Sequence, residues 1–384
     1  MSALVFLAYM SLLVLGLVDN IRGPFFPEIL NELQLTGSTG SLFFAVTSLM
    51  AFVGSWSSHF VLRKRDSLFL MWVSSLIFSL GFIAVANASG LLLLILACAL
   101  FGLAFGGLNV AQNLMVVEGT AFRLRRRLLN GLHSMYGFAA LVAPLSATMF
   151  RWLGFNWRQT FMMLAILPFL LAVWAFTWRN KKHLHENPEP AKSLSTVEWR
   201  LCLGLALVLS SYLWGELSVG TRMVLWLRQD LGFAPDQANF YQAAFFAGLL
   251  FGRVVLSFVH FAGVSNWWIL STSTGVSGVL YLLGLVVDPR LVILSGFTMA
   301  PFFPVLMDQV NELFRKKSAQ AMGIVIGAGS LSMVFMHVVI GALTDWIGLT
   351  RALEACAIAQ LLACAGLLWL QRQSHYFLHD KKPH

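Results

Sequence analysis

The chain has 384 residues, 58% of them hydrophobic and only 11% charged, with a formal net charge of +9. A soluble domain carries nearer a quarter charged residues, so this composition excludes a soluble globule, a disordered chain and a fibrous repeat. A polytopic helical membrane protein is left, and twelve spans of roughly 20 apolar residues would use about 240 residues.

In chain order, the apolar runs predict spans at 3–30, 39–62, 67–87, 90–117, 128–150, 158–179, 198–228, 237–261, 266–286, 290–312, 318–343 and 350–371. None alternates like a barrel strand. The expected fold class is an all-α integral membrane protein. Its twelve transmembrane helices form two six-helix bundles with a central cavity. Residues 1–179 form the N-terminal bundle, 180–197 a cytoplasmic linker, 198–372 the C-terminal bundle and 373–384 a cytoplasmic tail. The first run has no basic residue before it and reads as a retained helix, not a cleaved signal peptide. Cys98, Cys202, Cys356 and Cys364 sit in apolar runs and read as buried thiols, with no metal site expected.

Basic residues set the topology. Arg63, Lys64 and Arg65 follow the second span, and Arg123, Arg125, Arg126 and Arg127 follow the fourth. Arg179, Lys181, Lys182, Lys192 and Arg200 lie between the sixth and seventh. Arg315, Lys316 and Lys317 follow the tenth, and Arg372, Lys381 and Lys382 close the chain. These are 18 of the 26 Lys and Arg residues, and all fall on one side if the spans alternate. The positive-inside rule makes that side the cytoplasm and puts both termini there. The positive charge therefore reads as topology and contact with the lipid bilayer, not as a nucleic-acid surface. His183 and His185, in the longest loop, read as part of a solvated linker.

The halves echo each other. Phe43-Phe44-Ala45 recurs as Phe245-Phe246-Ala247, and Arg22 has its counterpart in Arg222. Such repeats place a solute site between bundles, near the bilayer midplane.

Several motifs resemble the major facilitator superfamily. Gly154, Trp157, Arg158 and Phe161 form a Gly-x-x-Trp-Arg-x-x-Phe pattern like that of its sixth helix. Gly341, Asp345, Gly348 and Arg351 resemble its eleventh-to-twelfth turn. A narrower likeness is to the fucose-permease-like sugar–proton symporters. It rests on Gly16-x-x-Asp19 with Pro24 and Pro27, on Gly106 through Asn113, on Tyr212-x-Trp214-Gly215-Glu216 and on Ala300-Pro301-Phe302-Phe303-Pro304. Asn130-x-x-His133-Ser134-x-Tyr136-Gly137 also looks like the fifth helix of that branch. There are departures. Ser58 and His59 stand where the superfamily's second-to-third loop has Asp and Arg, and Asn109 stands where the sugar symporters carry an acid.

Charge inside a span costs roughly 2.5–3.5 kcal/mol on insertion scales, so such residues face a cavity or a partner. Asp19 and Arg22, three apart, share a helical face. They read as a proton-linked ion pair or as a permanent structural one. Glu28 and Glu32, further along, read as solvated. Asn109, Gln112 and Asn113 form a stripe of amides suited to solute hydroxyls or to interhelical bonds. Asn130, His133 and Tyr136 are further candidates for solute contact. In the seventh span Glu216 is the second candidate for proton coupling, and Trp214 beside it is a candidate for stacking on a sugar. Arg222 either meets an anionic substrate or, by preference, snorkels to the outer interface. Arg253 and Asp308 read as gating residues, and His337 as structural. Trp152, Trp157, Trp178, Trp199, Trp267 and Trp268 read as interface anchors.

No phosphate-cradling Gly-x-x-x-x-Gly-Lys-Ser/Thr loop occurs, so direct ATP drive is not expected. No His-Glu-x-x-His or Gly-x-Ser-x-Gly motif points to an enzyme. The expected activity is secondary active transport by alternating access, with no cofactor. The resemblance implies proton-coupled uptake of a sugar or similar small polar solute. Asp19 and Glu216 would couple protons. Arg22, Asn109, Gln112, Asn113, Asn130, His133, Tyr136 and Trp214 would bind the solute. The alternatives are an exporter of an amphipathic or drug-like solute and a non-transporting protein on the same fold. A monomer in a bacterial inner membrane is the expected setting.

Overall fold

The computed structural model describes residues 2–178, 194–258 and 263–379. Lys181, Lys182, His183 and His185, with most of the expected linker and the end of the tail, lie outside these residues. The described residues are almost entirely helical and contain no strand.

Among the described residues twelve helices follow one another. They are α1 (Ala3–Glu32), α2 (Gly37–Leu62), α3 (Ser67–Ala86), α4 (Leu91–Glu118), α5 (Phe122–Trp152) and α6 (Trp157–Trp178). Then come α7 (Thr196–Gln229), α8 (Pro235–Phe258), α9 (Asn266–Val286), α10 (Arg290–Phe314), α11 (Ser318–Ile347) and α12 (Leu349–His379). Among the described residues, eleven are long and apolar enough to cross a membrane.

Polar side chains fix several of the helix starts. Thr36 caps α2 in a reciprocal pair with Thr39, and Asn156 caps α6 in the same way with Gln159. The Asp66 carboxylate accepts from Phe69 N–H at 2.8 Å to start α3. Three helices are broken. α1 consists of Ala3–Asn20 and Arg22–Glu32, interrupted at Ile21 ahead of Pro24 and Pro27. α6 turns at Ala165, before Pro168, and α10 at Ala300-Pro301. A proline ring removes one helical N–H and crowds the carbonyl four residues back, which frees backbone oxygens at these points.

The helices pack as two units. One holds the described residues of 1–187 together with 221–243 and 337–346; the other holds those of 188–220, 244–336 and 347–384. In the first unit α4 is central, with α1, α2 and α3 against it; α5 lies on α1 and α6 on α3. Stacked rings fill its interior: Phe78 on Phe101 and Phe82 on Phe161, each pair with centroids 4.4 Å apart. Close packing, rather than exclusion of water, holds such helices together in lipid. In the second unit α9 packs on α10 and α12. Tyr281 and Ser218 hydroxyls meet at 2.9 Å, and Gln360 donates to Ser277 at 2.6 Å. Interhelical bonds of this kind contribute about 0.6–2 kcal/mol each.

Candidate functional site

The break in α1 builds the polar centre of the first unit. The Arg22 guanidinium, 5% exposed as a residue, turns back to bond both the carboxylate and the backbone carbonyl of Asp19. It also donates to Thr47 Oγ1 at 3.1 Å, and Thr47 passes its own proton to the Phe43 carbonyl. Tyr136, reaching across from α5, donates to the other Asp19 oxygen at 2.6 Å. Both carboxylate oxygens therefore hold a donor. The Arg22 guanidinium also lies 4.9–5.2 Å from the ring centres of Phe43, Phe44 and Phe101. Each ring offers about 0.5–2 kcal/mol to a desolvated cation, which offsets part of the cost of burying it. The Asp19 side chain keeps 16% exposure, against 6% for Arg22. The carboxylate is thus the more accessible member of the pair.

The other expected solute contacts of this unit scatter around that centre. Asn109 and Asn113 on α4 are half-buried, and each donates to the carbonyl four residues before it. Gln112 is fully buried and both of its amide atoms lack a hydrogen-bond partner, so the three amides do not form one open stripe. Asn130 and His133 on α5 are exposed.

Three expectations need correction. Arg222 does not snorkel to the interface. It is 1% exposed, donates to Ser41 at 3.0 Å and lies over the rings of Phe26 and Phe44. Aromatic faces and a hydroxyl give its charge a place inside, so it does not need to reach out. His337 stacks on the same Phe44 ring, with centroids 5.3 Å apart. Glu28 is not simply solvated: one of its oxygens accepts from Arg151 at 2.8 Å and from Arg228 at 2.7 Å. Glu32 stays exposed but binds Arg158 and the Trp157 indole. Trp157 is accordingly buried rather than an interface anchor, and Trp267 is buried as well. Trp152 and Trp268, at 75% and 61% exposure, do face outward.

In the second unit Glu216 and Arg253 lie 3.5 Å apart, both partly exposed. Tyr212, one turn before Glu216, is buried, stacks on Phe302 at 3.7 Å and donates to the Met299 carbonyl at the break in α10. Trp214 is half-buried and Asp308 exposed. Sequence reasoning missed Thr47, Ser41 and the phenylalanines around Arg22 and Arg222. The repeated Phe-Phe-Ala was noticed as a duplication, but nothing in it says that Phe44 carries two guanidiniums.

A helical protein with up to twelve spans, a charged pair inside α1 beside its break and a second pair between α7 and α8 has the features of a polytopic membrane transporter. Residues 8–325 match the model of the Major Facilitator Superfamily, and the chain belongs to that family. The fold is similar to crystal structures of a bacterial homolog of the human lysosomal transporter Spinster. For its inward-facing, unoccupied form the TM-score is 0.80 at 13% identity, covering 99% of this chain and 98% of the other. For its inward-facing, occupied form the TM-score is 0.76 at 14% identity, covering 96% of each chain. A D-xylose–proton symporter is similar at a TM-score of 0.76 and 14% identity, covering 94% of this chain and 96% of that one. At these identities the likeness is one of fold. No curated protein matches the chain by sequence.

Proposed function

We propose that this transporter takes up a sugar or similar small hydroxylated solute together with protons, in the manner of the fucose-permease-like branch. The observation that carries the reading is Asp19. A single partly accessible carboxylate holds Arg22 through one oxygen and Tyr136 through the other. Protonating Asp19 removes the charge that holds Arg22, and deprotonation restores it. A proton thereby changes the hydrogen-bonding groups on offer beside the break in α1. Asn109, Asn113, Asn130 and His133 supply amides and an imidazole for solute hydroxyls. Glu216, against Arg253, is the second proton-coupling carboxylate, Trp214 a stacking surface, and Arg253 and Asp308 gating groups. The two sequence halves are the moving bodies. In this reading the protein works as a monomer in a cell inner membrane, and the distribution of its basic loops supports both termini being cytoplasmic. The D-xylose–proton symporter among its structural likenesses supports this reading.

A second reading is export of an amphipathic solute. It is favoured by a groove of about 780 Å³ in the first unit, lined by Leu145, Met149, Phe233 and Phe240 with Asp236 and Tyr241. A thermal-shift screen of the purified protein separates the two. A ligand at about 100 times its Kd adds roughly 2.7 kcal/mol of stability. Stabilisation by one class of sugar supports uptake of that sugar. Stabilisation by lysolipids or amphiphilic drugs, with none by sugars, overturns the sugar assignment.

A further inference from the structure

Within the first unit, residues 337–346 of α11 are fastened to the start of α2 by a carboxylate. Asp345 accepts from the backbone N–H of Gly37 at 2.6 Å and of Ser38 at 2.8 Å. Thr36 takes the N–H of Thr39, and its carbonyl takes that of Gly40. The first four amides of α2 are thus all satisfied, two of them by a side chain more than 300 residues away. Two glycines make room. A Cβ on Gly37 would sit 2.6 Å from the Asp345 oxygen, and one on Gly341 would sit 2.5 Å from Ser41 Oγ and 2.8 Å from the Gly37 carbonyl. The negative charge also lies at the positive end of the α2 dipole.

The opposite end of α2 is built differently. Ser58, at the position where the resemblance to the superfamily implies an acid, is buried and turns its hydroxyl onto the Gly54 carbonyl of its own helix at 2.7 Å. One end of α2 therefore carries a charged clasp, and the group that would make its counterpart is satisfied within the helix.

We propose that Asp345 is a conformational latch. It holds 337–346 against α2 and biases the resting protein toward the form in which these two segments are in contact. The inference does not depend on which solute is carried, and its test uses none. Nitroxide labels are placed at Asn31 and Trp346, both exposed residues of the same unit, with the four native cysteines replaced by alanine. Distances between the labels are then measured by pulsed electron paramagnetic resonance in lipid nanodiscs. Asp345→Asn keeps the shape and removes the charge; Gly341→Ala keeps the charge and wedges the helices apart. Asp345→Asn is expected to raise the ratio of long to short distances about 3- to 30-fold, the range implied by loss of a capping carboxylate, and Gly341→Ala to raise it as well. An unchanged distribution in folded Asp345→Asn overturns the proposal. If that variant does not fold, Gly341→Ala decides, and an unchanged distribution there overturns the proposal equally.

Discussion

The phenol of Tyr136 and the guanidinium of Arg22 divide the Asp19 carboxylate between them, Tyr136 on Oδ2 at 2.6 Å and Arg22 on Oδ1. Tyr136 belongs to α5 and Arg22 to the second piece of α1, so two helices are joined through a single titratable group. What happens to that group is felt in both.

The pair itself can be measured. Arg22→Leu leaves a largely buried carboxylate without its cation, for which about 3–5 kcal/mol is expected. Asp19→Asn combined with Arg22→Leu should cost clearly less than the sum of the two single changes, with a coupling of about 1–3 kcal/mol. Unfolding in mixed micelles gives the four stabilities of the cycle. Additive losses would mean that the two groups act independently.

Tyr136→Phe keeps the ring and removes one hydrogen bond to a charged group. The expected loss is about 1.5–3 kcal/mol. Solute uptake should fall with it, because the α5 side of the carboxylate is then unheld. A variant with the parent's melting temperature and uptake rate would show that the bond contributes nothing.

Glu28 serves two arginines, Arg151 and Arg228. Its side chain is 27% exposed, so Glu28→Ala is expected to cost about 2 kcal/mol, less than a fully buried pair. Arg351 pairs with Glu354 on the surface with 68% exposure, and Arg351→Ala should cost no more than about 0.5 kcal/mol. Equal shifts in melting temperature for the two variants would contradict this ranking.

Glu216→Gln tests the second carboxylate. It should lower the accumulation reached at a fixed proton gradient while leaving solute binding within about threefold, a difference of under 1 kcal/mol. Unchanged accumulation would assign Glu216 to a structural pair with Arg253.

The helices were legible because apolar runs act locally. Asp19 with Arg22 was legible for the same reason, being one helical turn apart. The partners from other helices were not. Tyr136 meets Asp19 across 117 positions of sequence and Arg222 meets Ser41 across 181. Whether an arginine snorkels or is buried depends on which rings the fold brings beside it. Phe26 and Phe44 decide this for Arg222, and its own helix gives no sign of them. The amides of α4 misled in another way. Their spacing reads as one stripe, yet two of them bond their own helix and the third is sealed inside the unit.

The most direct test is uptake into proteoliposomes under an imposed pH gradient, comparing the parent with Asp19→Asn and using the sugar that stabilises the purified protein. The parent is expected to concentrate the solute, and Asp19→Asn, folded and still able to exchange solute across the membrane, only to equilibrate it. Accumulation by Asp19→Asn equal to that of the parent would contradict the assignment of Asp19 as the coupling group.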